Sequence, residues 1–450
     1  MSLMVIEWGI VGIKALQLIL SLSILVVLHE LGHFLPAKWF KCRVEKFYLF
    51  FDPYFSIFKK KIKDTEYGIG WLPLGGYVKI SGMIDESMDK EQLQQPAQPW
   101  EFRSKPAWQR LIIMIGGVTV NLFLGFFIYA MILFVWGENY LPAKNVKGIY
   151  ADSLGKAMGL KDGDQILSVN GRPVDDFFKF SNDIILNDGK SIEVNRGGEV
   201  VSLPVQAGTI TSLIQRKGES VIYPIYPAII DSLPADKKYI QGKLEIGDQV
   251  IGLNEEVIGS YAALADRKLK FKNKEVALKV LRNQTDTAIV KLNVSAEGNL
   301  GIYFRGAMNF VDFSTKKYGF FEAFPAGVRK GWNTLTMNIQ NFKLLFTSKE
   351  VKASDSLGSF LSIGNMFGSV WDWERFWNMT ALLSIVLAFM NILPIPALDG
   401  GHVIFTLYEM ITGRKPSEKF LEYAQMVGMA LLLGLMVYAL GLDFWRYFIR

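Results

Sequence analysis

Residues 8–34 read WGIVGIKALQLILSLSILVVLHELGHF, and this stretch decides the architecture of the chain. Lys14 is its only charged residue before His29, so it is apolar enough to cross a bilayer of about 30 Å as a helix of ~20 residues. Near its end, His29, Glu30 and His33 form the pattern H-E-x-x-H. Residues four apart share one face of a helix, so both imidazoles can bind one Zn²⁺ beside Glu30 as general base. A chance match is the alternative, but ionisable residues at membrane depth are costly and favour a functional site.

The composition also indicates a membrane protein. Half of the 450 residues are hydrophobic and the mean hydropathy is +0.21, which is typical of membrane spans combined with sizeable polar parts. The net charge of +6 is modest, and no basic block alternates with aromatics, so we expect no nucleic-acid partner. The single cysteine, Cys42, excludes intrachain disulfides and a cysteine-based zinc site.

Four segments are predicted to span the membrane, so we expect a multi-pass α-helical membrane protein. They are residues 8–34, 111–136, 376–393 and 426–442. The loop after the first span is rich in lysine and arginine, which places it in the cytoplasm. Four spans then put both termini and the long segment between the second and third spans outside. The second span carries Gly116, Gly117, Asn121 and Gly125, which predicts close helix packing and a buried partner for the amide.

The loop after the first span contains two β-like stretches. Residues 47–58 are strongly aromatic, and residues 67–80 read YGIGWLPLGGYVKI, which predicts a strand and a turn. Together they predict a membrane-associated β-hairpin or sheet near the H-E-x-x-H pattern. An open edge there could pair with an unwound substrate strand, or the hairpin could merely brace the first helix. The sequence leaves both alternatives open.

Residues 145–304 contain an internal duplication. GDQILSVN at 163–170 recurs as GDQVIGLN at 247–254, each copy predicting a turn, a short strand and a second turn. The repeat resembles the signature of bacterial PDZ domains, so two PDZ-like α+β domains are expected outside the membrane. They could bind a peptide terminus or filter substrates by size. An amphipathic helix follows at 321–346, to pack on these domains or lie on the membrane surface.

A catalytic zinc site normally has three protein ligands. The remaining candidates lie where two prolines break the third span, in NILPIPALDGGH at residues 391–402. This stretch carries Asp399 and His402. A carboxylate ligand lowers the charge that three neutral imidazoles would leave uncompensated in a low-dielectric site, which favours Asp399. Spacing alone does not exclude His402.

These features together resemble the site-2 protease family. They are H-E-x-x-H in a first transmembrane helix, a distant N-x-x-P-x-P-A-L-D-G-G and intervening PDZ-like modules. The tandem modules make the chain most similar to the branch represented by bacterial regulators of sigma-E. The resemblance implies an intramembrane zinc metalloprotease with one Zn²⁺ per chain, which cleaves single-span membrane proteins in or near their transmembrane segments. Pre-trimmed anti-sigma factors and signal-peptide remnants are examples.

The resemblance also implies roles for individual residues. His29, His33 and Asp399 bind zinc, Glu30 activates water, and the remaining motif residues contact substrate, namely Asn391, Pro394, Pro396, Gly68 and Gly70. The protein is expected in the bacterial inner membrane as a monomer, with the PDZ-like domains periplasmic and the active site toward the cytoplasm. The alternative function is a membrane scaffold that presents PDZ modules and has a non-catalytic metal site.

The predicted organisation follows from these assignments. It comprises a first span in 1–36, a membrane-associated β region in 37–107, a second span in 108–137, PDZ-like domains in 138–212 and 213–306, an amphipathic helix and linker in 307–373, a third span in 374–398, a cytoplasmic loop in 399–420 and a fourth span in 421–443.

Overall fold

The structure is a computed structural model that describes residues 8–73, 75–83, 96–216, 220–233, 243–296, 298–347 and 360–445. The chain folds as two compact units. Glu138–Lys316 forms the first, here called the repeat unit. Met4–Gly137 and Lys317–Arg450 together form the second, here called the membrane unit.

Helices and strands are numbered in chain order. The helices are α1 (Trp8–Trp39), α2 (Ala107–Val135), α3 (Ser153–Ala157), α4 (Phe180–Leu186), α5 (Thr209–Gln215), α6 (Tyr261–Arg267), α7 (Phe320–Thr347), α8 (Phe360–Met366), α9 (Trp373–Asn391), α10 (Asp399–Thr412) and α11 (Glu418–Phe444). The strands are β1 (Val44–Leu49), β2 (Phe51–Ile62), β3 (Thr65–Leu72), β4 (Tyr77–Ile80), β5 (Glu138–Tyr140), β6 (Ile149–Ala151), β7 (Gln165–Val169), β8 (Arg172–Pro173), β9 (Ser191–Arg196), β10 (Glu199–Pro204), β11 (Ile222–Pro224), β12 (Ala228–Ser232), β13 (Gln249–Leu253), β14 (Glu256–Val257), β15 (Glu275–Arg282), β16 (Asp286–Asn293), β17 (Tyr303–Phe304) and β18 (Ser314–Lys316).

Within the described part of the chain, three helices are long and apolar enough to cross a membrane, namely α1, α2 and α11. They coincide with the first, second and fourth predicted spans. The third predicted span is helix α9, 19 residues long, but α9 is not among the three. Its first two turns carry Glu374, Arg375 and Asn378, which lowers its hydropathy. A four-span topology therefore stays a prediction.

The membrane unit is built around α2, which packs against α1, α7, α9 and α10. At the α1–α2 crossing the backbones touch, because a Cβ placed on Gly116 would lie 2.0 Å from the carbonyl oxygen of Gly32. Glycine at these positions permits the close approach, as the sequence predicted. This contact presses the H-E-x-x-H turn of α1 against α2.

Helix α7 packs on α2 through small residues. A Cβ on Gly327 would lie 2.4 Å from the backbone nitrogen of Ala130, and one on Gly331 would lie 2.3 Å from the ring of Phe126. Larger residues also contact α2, since the rings of Phe320 and Phe134 lie 5.5 Å apart, whereas Phe321 is 85% exposed. The predicted amphipathic helix therefore exists, and its small residues let it approach α2 closely, with large apolar side chains packing beside them.

The sheet of the membrane unit has the strand order β2-β3-β1-β4. Residues 67–80, predicted as one hairpin edge, fall into two separated strands, because β1 pairs parallel with β3 on one side and antiparallel with β4 on the other. Strand β3 is paired on both sides, so an open edge within residues 67–80 is confined to β4. Among the described strands, the edges are β2 and β4.

Two predicted irregular segments contain helices. The linker predicted within residues 307–373 includes α8, while residues 348–359 lie outside the described residues. The predicted cytoplasmic loop at residues 399–420 begins with α10, a 14-residue helix. A Cβ on Gly400 would lie 2.2 Å from the carbonyl oxygen of Leu393. Helix α10 can therefore begin at once because glycine lets its first turn fit beneath the preceding loop.

The repeat unit contains two larger sheets with separate cores and two two-stranded sheets, β6 with β11 and β5 with β18. The first sheet has the order β10-β9-β7-β8, and the second has the order β16-β15-β13-β12-β17 with β14 beside β13. The first copy extends beyond its predicted limit at 212, because Val221 and Ile222 belong to its core and β11 pairs with β6. The unit also extends beyond 306, because β18 pairs with β5.

The duplicated motif forms the same polar cluster in both copies. Asp164 receives hydrogen bonds of 2.8 Å from both Nε and Nη2 of Arg196. Asp248 receives the equivalent pair from Arg282, at 2.9 and 2.8 Å. The preceding Gly163 and Gly247 have φ values of 95° and 97°, which glycine adopts without strain. Each Gly-Asp turn is thus held by an arginine from a later strand of its own copy.

Candidate active site

Three ligand-type side chains converge where α1, α2 and α10 meet. The Nε2 atoms of His29 and His33 lie 3.3 Å apart, and each lies 3.3 Å from Oδ2 of Asp399. The side chains are 12, 8 and 18% exposed. Among the described residues they form a group that could hold a metal ion, and His402 is not a member of it.

The triangle fits zinc. With bonds of about 2.0–2.1 Å and tetrahedral angles, two ligand atoms of zinc are about 3.3–3.4 Å apart, which is the edge observed between His29, His33 and Asp399. Oδ2 of Asp399 is buried and receives no hydrogen bond in the described structure. A buried carboxylate oxygen without a donor is costly unless a cation faces it. The donor set therefore suits a divalent metal.

Helix α2 supplies the surroundings of both imidazoles. Nδ1 of His33 lies 2.8 Å from the carbonyl oxygen of Ile113, and only a protonated Nδ1 can donate to that oxygen. This hydrogen bond leaves the lone pair of Nε2 directed at the triangle. The amide of Asn121 lies 3.2 Å from Nδ1 of His29. A Cβ on Gly117 would lie 2.4 Å from Nε2 of His33, so glycine makes room for the rings.

These contacts were only partly visible in the sequence. The buried amide of Asn121 was expected to need a partner, and the structure identifies that partner as His29. The carbonyl of Ile113 carried no sequence signal, because every residue has one and only packing selects which carbonyl meets a ring.

Glu30 follows the first histidine and faces strand β4. The backbone N–H of Val78 donates to its carboxylate, and a Cβ on Gly76 would lie 3.4 Å from its Cγ. Glu30 thus lies between the histidines and the edge of the sheet. A carboxylate in this position is placed to exchange protons with a group bound beside the triangle.

The proline-containing loop brings one further predicted residue to the site. Nδ2 of Asn391, the last residue of α9, lies 3.3 Å from Nε2 of His29. Pro394 is exposed and Pro396 is half-buried in the loop that follows. The carbonyl of Pro396 packs against Gly428 of α11. This packing indicates that the loop supports the start of α10.

Gly68 and Gly70 were predicted to contact substrate, and the structure gives them another role. Both lie in β3, inside the sheet. A Cβ on Gly68 would lie 2.3 Å from the ring of Tyr48, and one on Gly70 would lie 2.1 Å from the carbonyl oxygen of Phe51. The two glycines therefore make room for neighbouring strands, and their contact with substrate stays a prediction.

Comparison with known proteins agrees with the site. The chain is 28% identical to a protein of Campylobacter jejuni named "Putative zinc metalloprotease", over 95% of this chain and 92% of the relative. A Vibrio cholerae protein of the same name is 27% identical, over 95% and 97%. The "Regulator of sigma E protease" of Haemophilus influenzae is 25% identical, over 95% and 98%.

The family model of peptidase family M50 matches residues 17–435, which includes the H-E-x-x-H pattern, the repeat unit and Asp399. The resemblance to site-2 proteases noted from the sequence is thereby confirmed. The chain belongs to peptidase family M50, the site-2 protease family, and is a zinc metalloprotease of the membrane.

Proposed function

We propose that this protease hydrolyses peptide bonds in or near the transmembrane segments of single-span membrane proteins. Pre-trimmed anti-sigma factors and signal-peptide remnants are the expected substrates. The 3.3 Å triangle of His29, His33 and Asp399 beside Glu30 carries the proposal. All four residues lie on helices of the membrane unit. We therefore infer that hydrolysis takes place on substrate segments that lie in the membrane.

In the proposed mechanism, His29, His33 and Asp399 hold one Zn²⁺. When bound, the ion supplies Lewis acidity for the scissile carbonyl and for water. Glu30 accepts a proton from the attacking water and delivers it to the leaving amine. Asn391, with its amide beside His29, holds the substrate backbone. Ile113 keeps Nε2 of His33 unprotonated, because its carbonyl accepts the Nδ1 proton.

The substrate is proposed to add as a strand to the outer edge of β4. Val78 lies on this strand and its N–H already points at Glu30, so a peptide along this edge passes the triangle. A transmembrane helix hides its carbonyls in its own hydrogen bonds and must unwind before one can be attacked. Helix-weakening residues in the substrate should therefore promote cleavage. Strand addition supplies the unwound backbone with new partners.

We further propose the topology expected from the sequence. Helices α1, α2, α9 and α11 span the inner membrane, the active site faces the cytoplasm, and the enzyme acts as a monomer. The two copies in the repeat unit are PDZ-like domains on the periplasmic side. The shared Asp–Arg clusters support one ancestral module for both. These domains exclude substrates that still carry a large folded outer domain.

The main experiment compares wild type with Glu30→Gln, reconstituted with a single-span reporter. Glu30→Gln should retain zinc by elemental analysis and lose cleavage by at least about 10²-fold, the usual contribution of a general base. Mass spectrometry of membranes from cells that produce the variant should then show the uncut substrates accumulating. Undiminished cleavage by Glu30→Gln with zinc bound would contradict the assignment. The scaffold alternative predicts no accumulation of uncut substrate. Membership of a protease family and the position of Glu30 beside the triangle argue against that alternative.

Binding of the substrate along the outer edge of β4 can be tested by photo-crosslinking in the Glu30→Gln variant. A photoreactive phenylalanine analogue at Tyr77 of β4 should capture the reporter helix. The same analogue at Phe58 of β2, on the opposite edge of the sheet, is the matched control. Capture from Phe58 alone would move the substrate to β2.

Size exclusion can be tested by excising the repeat unit. Its ends are adjacent, because Lys316 pairs with Glu138, so a short linker can replace the residues between them. The intact enzyme should cut a reporter with a short outer stub and spare one with a bulky folded domain, whereas the shortened enzyme should cut both. Equal cleavage of the two reporters by the intact enzyme would mean that the domains serve another role.

A further inference from the structure

Strand β2, an outer edge of the sheet in the membrane unit, changes character along its length. Residues 54–58 of the strand expose large apolar side chains, here called the apolar segment (Tyr54, Phe55, Ile57 and Phe58). Its end and the following turn expose four lysines, here called the lysine row (Lys59, Lys60, Lys61 and Lys63). Among the described residues, no carboxylate lies within ion-pair distance of these lysines. An apolar surface that passes into unpaired cations is typical of a protein element at a membrane surface.

Contacts with helix α1 show how deep the sheet lies relative to the membrane span. At one end of β3, Thr65 accepts a hydrogen bond of 2.9 Å from Nζ of Lys38. Beyond its other end, the backbone at Gly76 packs against Val26, with a Cβ position 2.6 Å from Cγ1. Val26 and Lys38 are twelve residues apart, about 18 Å along the helix. The sheet therefore extends from the end of the membrane span back toward its middle.

The pairing of β2 with β3 shows at which level along α1 the lysines lie. Lys61 lies opposite Glu66 and Lys60 opposite Tyr67, next to Thr65 and thus level with Lys38. Between Lys14 and Lys38 the only Asp, Glu, Lys or Arg of α1 is Glu30, so Lys38 marks where the span meets the interface. The apolar segment precedes the lysines along β2 and lies deeper, at the level of the acyl chains.

We propose that the lysine row binds the headgroups of anionic phospholipids, while the apolar segment is embedded in the acyl chains. Four unpaired cations at headgroup level are complementary to anionic lipid and suit neutral lipid poorly. This contact would hold the far edge of the sheet at constant depth, and with it strand β4 beside Glu30. The proposal rests on membrane insertion and does not depend on the chemistry of the triangle.

The test measures lipid preference of the full-length protein in nanodiscs with spin-labelled phosphatidylglycerol or phosphatidylcholine. Wild type should prefer phosphatidylglycerol by about tenfold or more, because each lysine near an anionic surface contributes roughly a fivefold factor before screening. The quadruple variant Lys59→Gln, Lys60→Gln, Lys61→Gln, Lys63→Gln should fall to within about twofold, and high salt should have the same effect. A matched quadruple change in the repeat unit, at Lys270, Lys272, Lys274 and Lys279, should keep the preference.

An unchanged preference in the lysine-row variant would overturn the proposal. So would an equal loss in the repeat-unit control, because the effect would then follow net charge rather than position. If the variant kept its lipid preference but cleaved substrates with acidic tails more slowly, the row would serve a protein partner. Lipid preference is measured without proteolysis, so failure here is distinct from failure of the proposed function.

A second inference comes from a different observation, the amide of Asn121, and rests on the proposed zinc site. Asn121 is 1% exposed, and its Nδ2 lies 3.2 Å from Nδ1 of His29. Its Oδ1 is buried without a hydrogen-bond partner in the described structure. Nε2 of His29 faces the triangle, and a neutral imidazole that offers the Nε2 lone pair carries its proton on Nδ1. That proton needs an acceptor.

The oxygen and nitrogen of an asparagine amide exchange places by a half-turn. We infer that Oδ1 of Asn121 accepts the Nδ1 proton of His29 when the metal is bound, as the carbonyl of Ile113 does for His33. Asn121 is then a positioning residue that fixes the tautomer and the orientation of His29. Both imidazoles would be oriented by α2, and the metal would depend on the α1–α2 contact.

The test is zinc affinity, measured by competition with a chelator. Asn121→Leu, which has no acceptor, should bind zinc about 10–100-fold more weakly, whereas Asn121→Asp should stay within about threefold of wild type. Ser384→Ala is the control, because its hydroxyl donates to the backbone oxygen of Asn121 at 2.6 Å in the same helix contact without meeting His29. It should bind zinc normally.

Normal zinc affinity in Asn121→Leu would overturn the inference. An equal loss in the Leu and Asp variants would also overturn it, because the amide would then matter for its shape or its N–H and not as an acceptor. A failure of the proposed function is distinguishable, since wild type itself would then bind no zinc.

Discussion

Buried carboxylates occur in both units, and their surroundings differ. In the repeat unit, Asp248 accepts from Nε and Nη2 of Arg282 at 2.9 and 2.8 Å and from the backbone N–H of Glu245 at 2.9 Å. In the membrane unit, Oδ2 of Asp399 lies 3.3 Å from two imidazole nitrogens and receives no hydrogen bond from the residues that the structure describes. Within the described part of the chain, Asp248 has hydrogen-bond donors for its carboxylate, and Oδ2 of Asp399 has none.

The difference separates a structural role from a ligand role. A buried carboxylate that receives several hydrogen bonds closes a turn and needs nothing from outside. One that faces two imidazole nitrogens, as Asp399 does, is suited to a cation that all three groups share. Both types occur in Gly-Asp or Asp-Gly pairs in this sequence, so the local pattern does not tell them apart. Substitutions at the two sites should therefore have opposite consequences.

The largest effect is expected from Asp399→Ala. It should lower zinc affinity by at least about 1,000-fold, more than the roughly 10–100-fold that loss of an outer partner costs, and abolish cleavage. The metal-free protein should melt at the same temperature as metal-free wild type or higher, because the variant removes a buried charge without donors. Elemental analysis and melting curves in chelator check this. Full zinc content in Asp399→Ala, with loss in His402→Ala, would move the third ligand to His402.

A smaller effect on the same site is expected from Gly117→Ala. The added methyl group would lie 2.4 Å from Nε2 of His33 and 2.6 Å from Cε1 of His29, so at least one ring must move. Zinc affinity should fall by about 10–100-fold. Gly434→Ala in α11 is the control, because no atom of the described residues lies within 4 Å of its Cβ position. Equal zinc affinities in the two variants would show that the rings tolerate displacement.

In the repeat unit, Asp164→Ala should cost stability and leave zinc unchanged. The loss removes two hydrogen bonds from Arg196 and one from the backbone of Lys161. The side chain of Arg196 is 27% exposed, so water partly replaces them and about 2 kcal/mol is expected. Hydrogen exchange in β7 should accelerate by about 30-fold. The equivalent strand β13 is an internal control, and equal acceleration there would mean that the copies unfold together.

The smallest expected effect is a loss of stability in the repeat unit as the pH falls. Burial raises the pKa of Asp164 and Asp248, but hydrogen bonds from Arg196 and Arg282 outweigh it, so both pKa values are lowered from 3.8. A folded-state pKa below the unfolded value stabilises the fold above the unfolded pKa, and this stability is lost as pH falls through the folded pKa. Protection of β7 and β13 should therefore decline below about pH 4. Asp164→Asn should flatten the decline in β7 alone.

Several features of this protein follow from sequence alone because they depend on local periodicity. The spacing of His29 and His33 places both on one helix face, and long apolar runs predict helices α1, α2 and α11. The repeated Gly-Asp and Asn turns predict two similar modules, and the predicted strands appear in both. The third ligand was favoured by a charge argument, and the structure brings Asp399 into the triangle.

The remaining features depend on contacts between residues far apart in sequence, which no local pattern records. β1 separates β3 from β4, which confines the open edge within residues 67–80 to β4 and gives Gly68 and Gly70 a packing role. Arg196 was not identified as the partner of Asp164, although it lies only 32 residues later. The carbonyl of Ile113 meets His33 only because Gly32 and Gly116 let two helix backbones touch. Alternation and helical spacing determined the elements, and close packing between them decided which groups share the site.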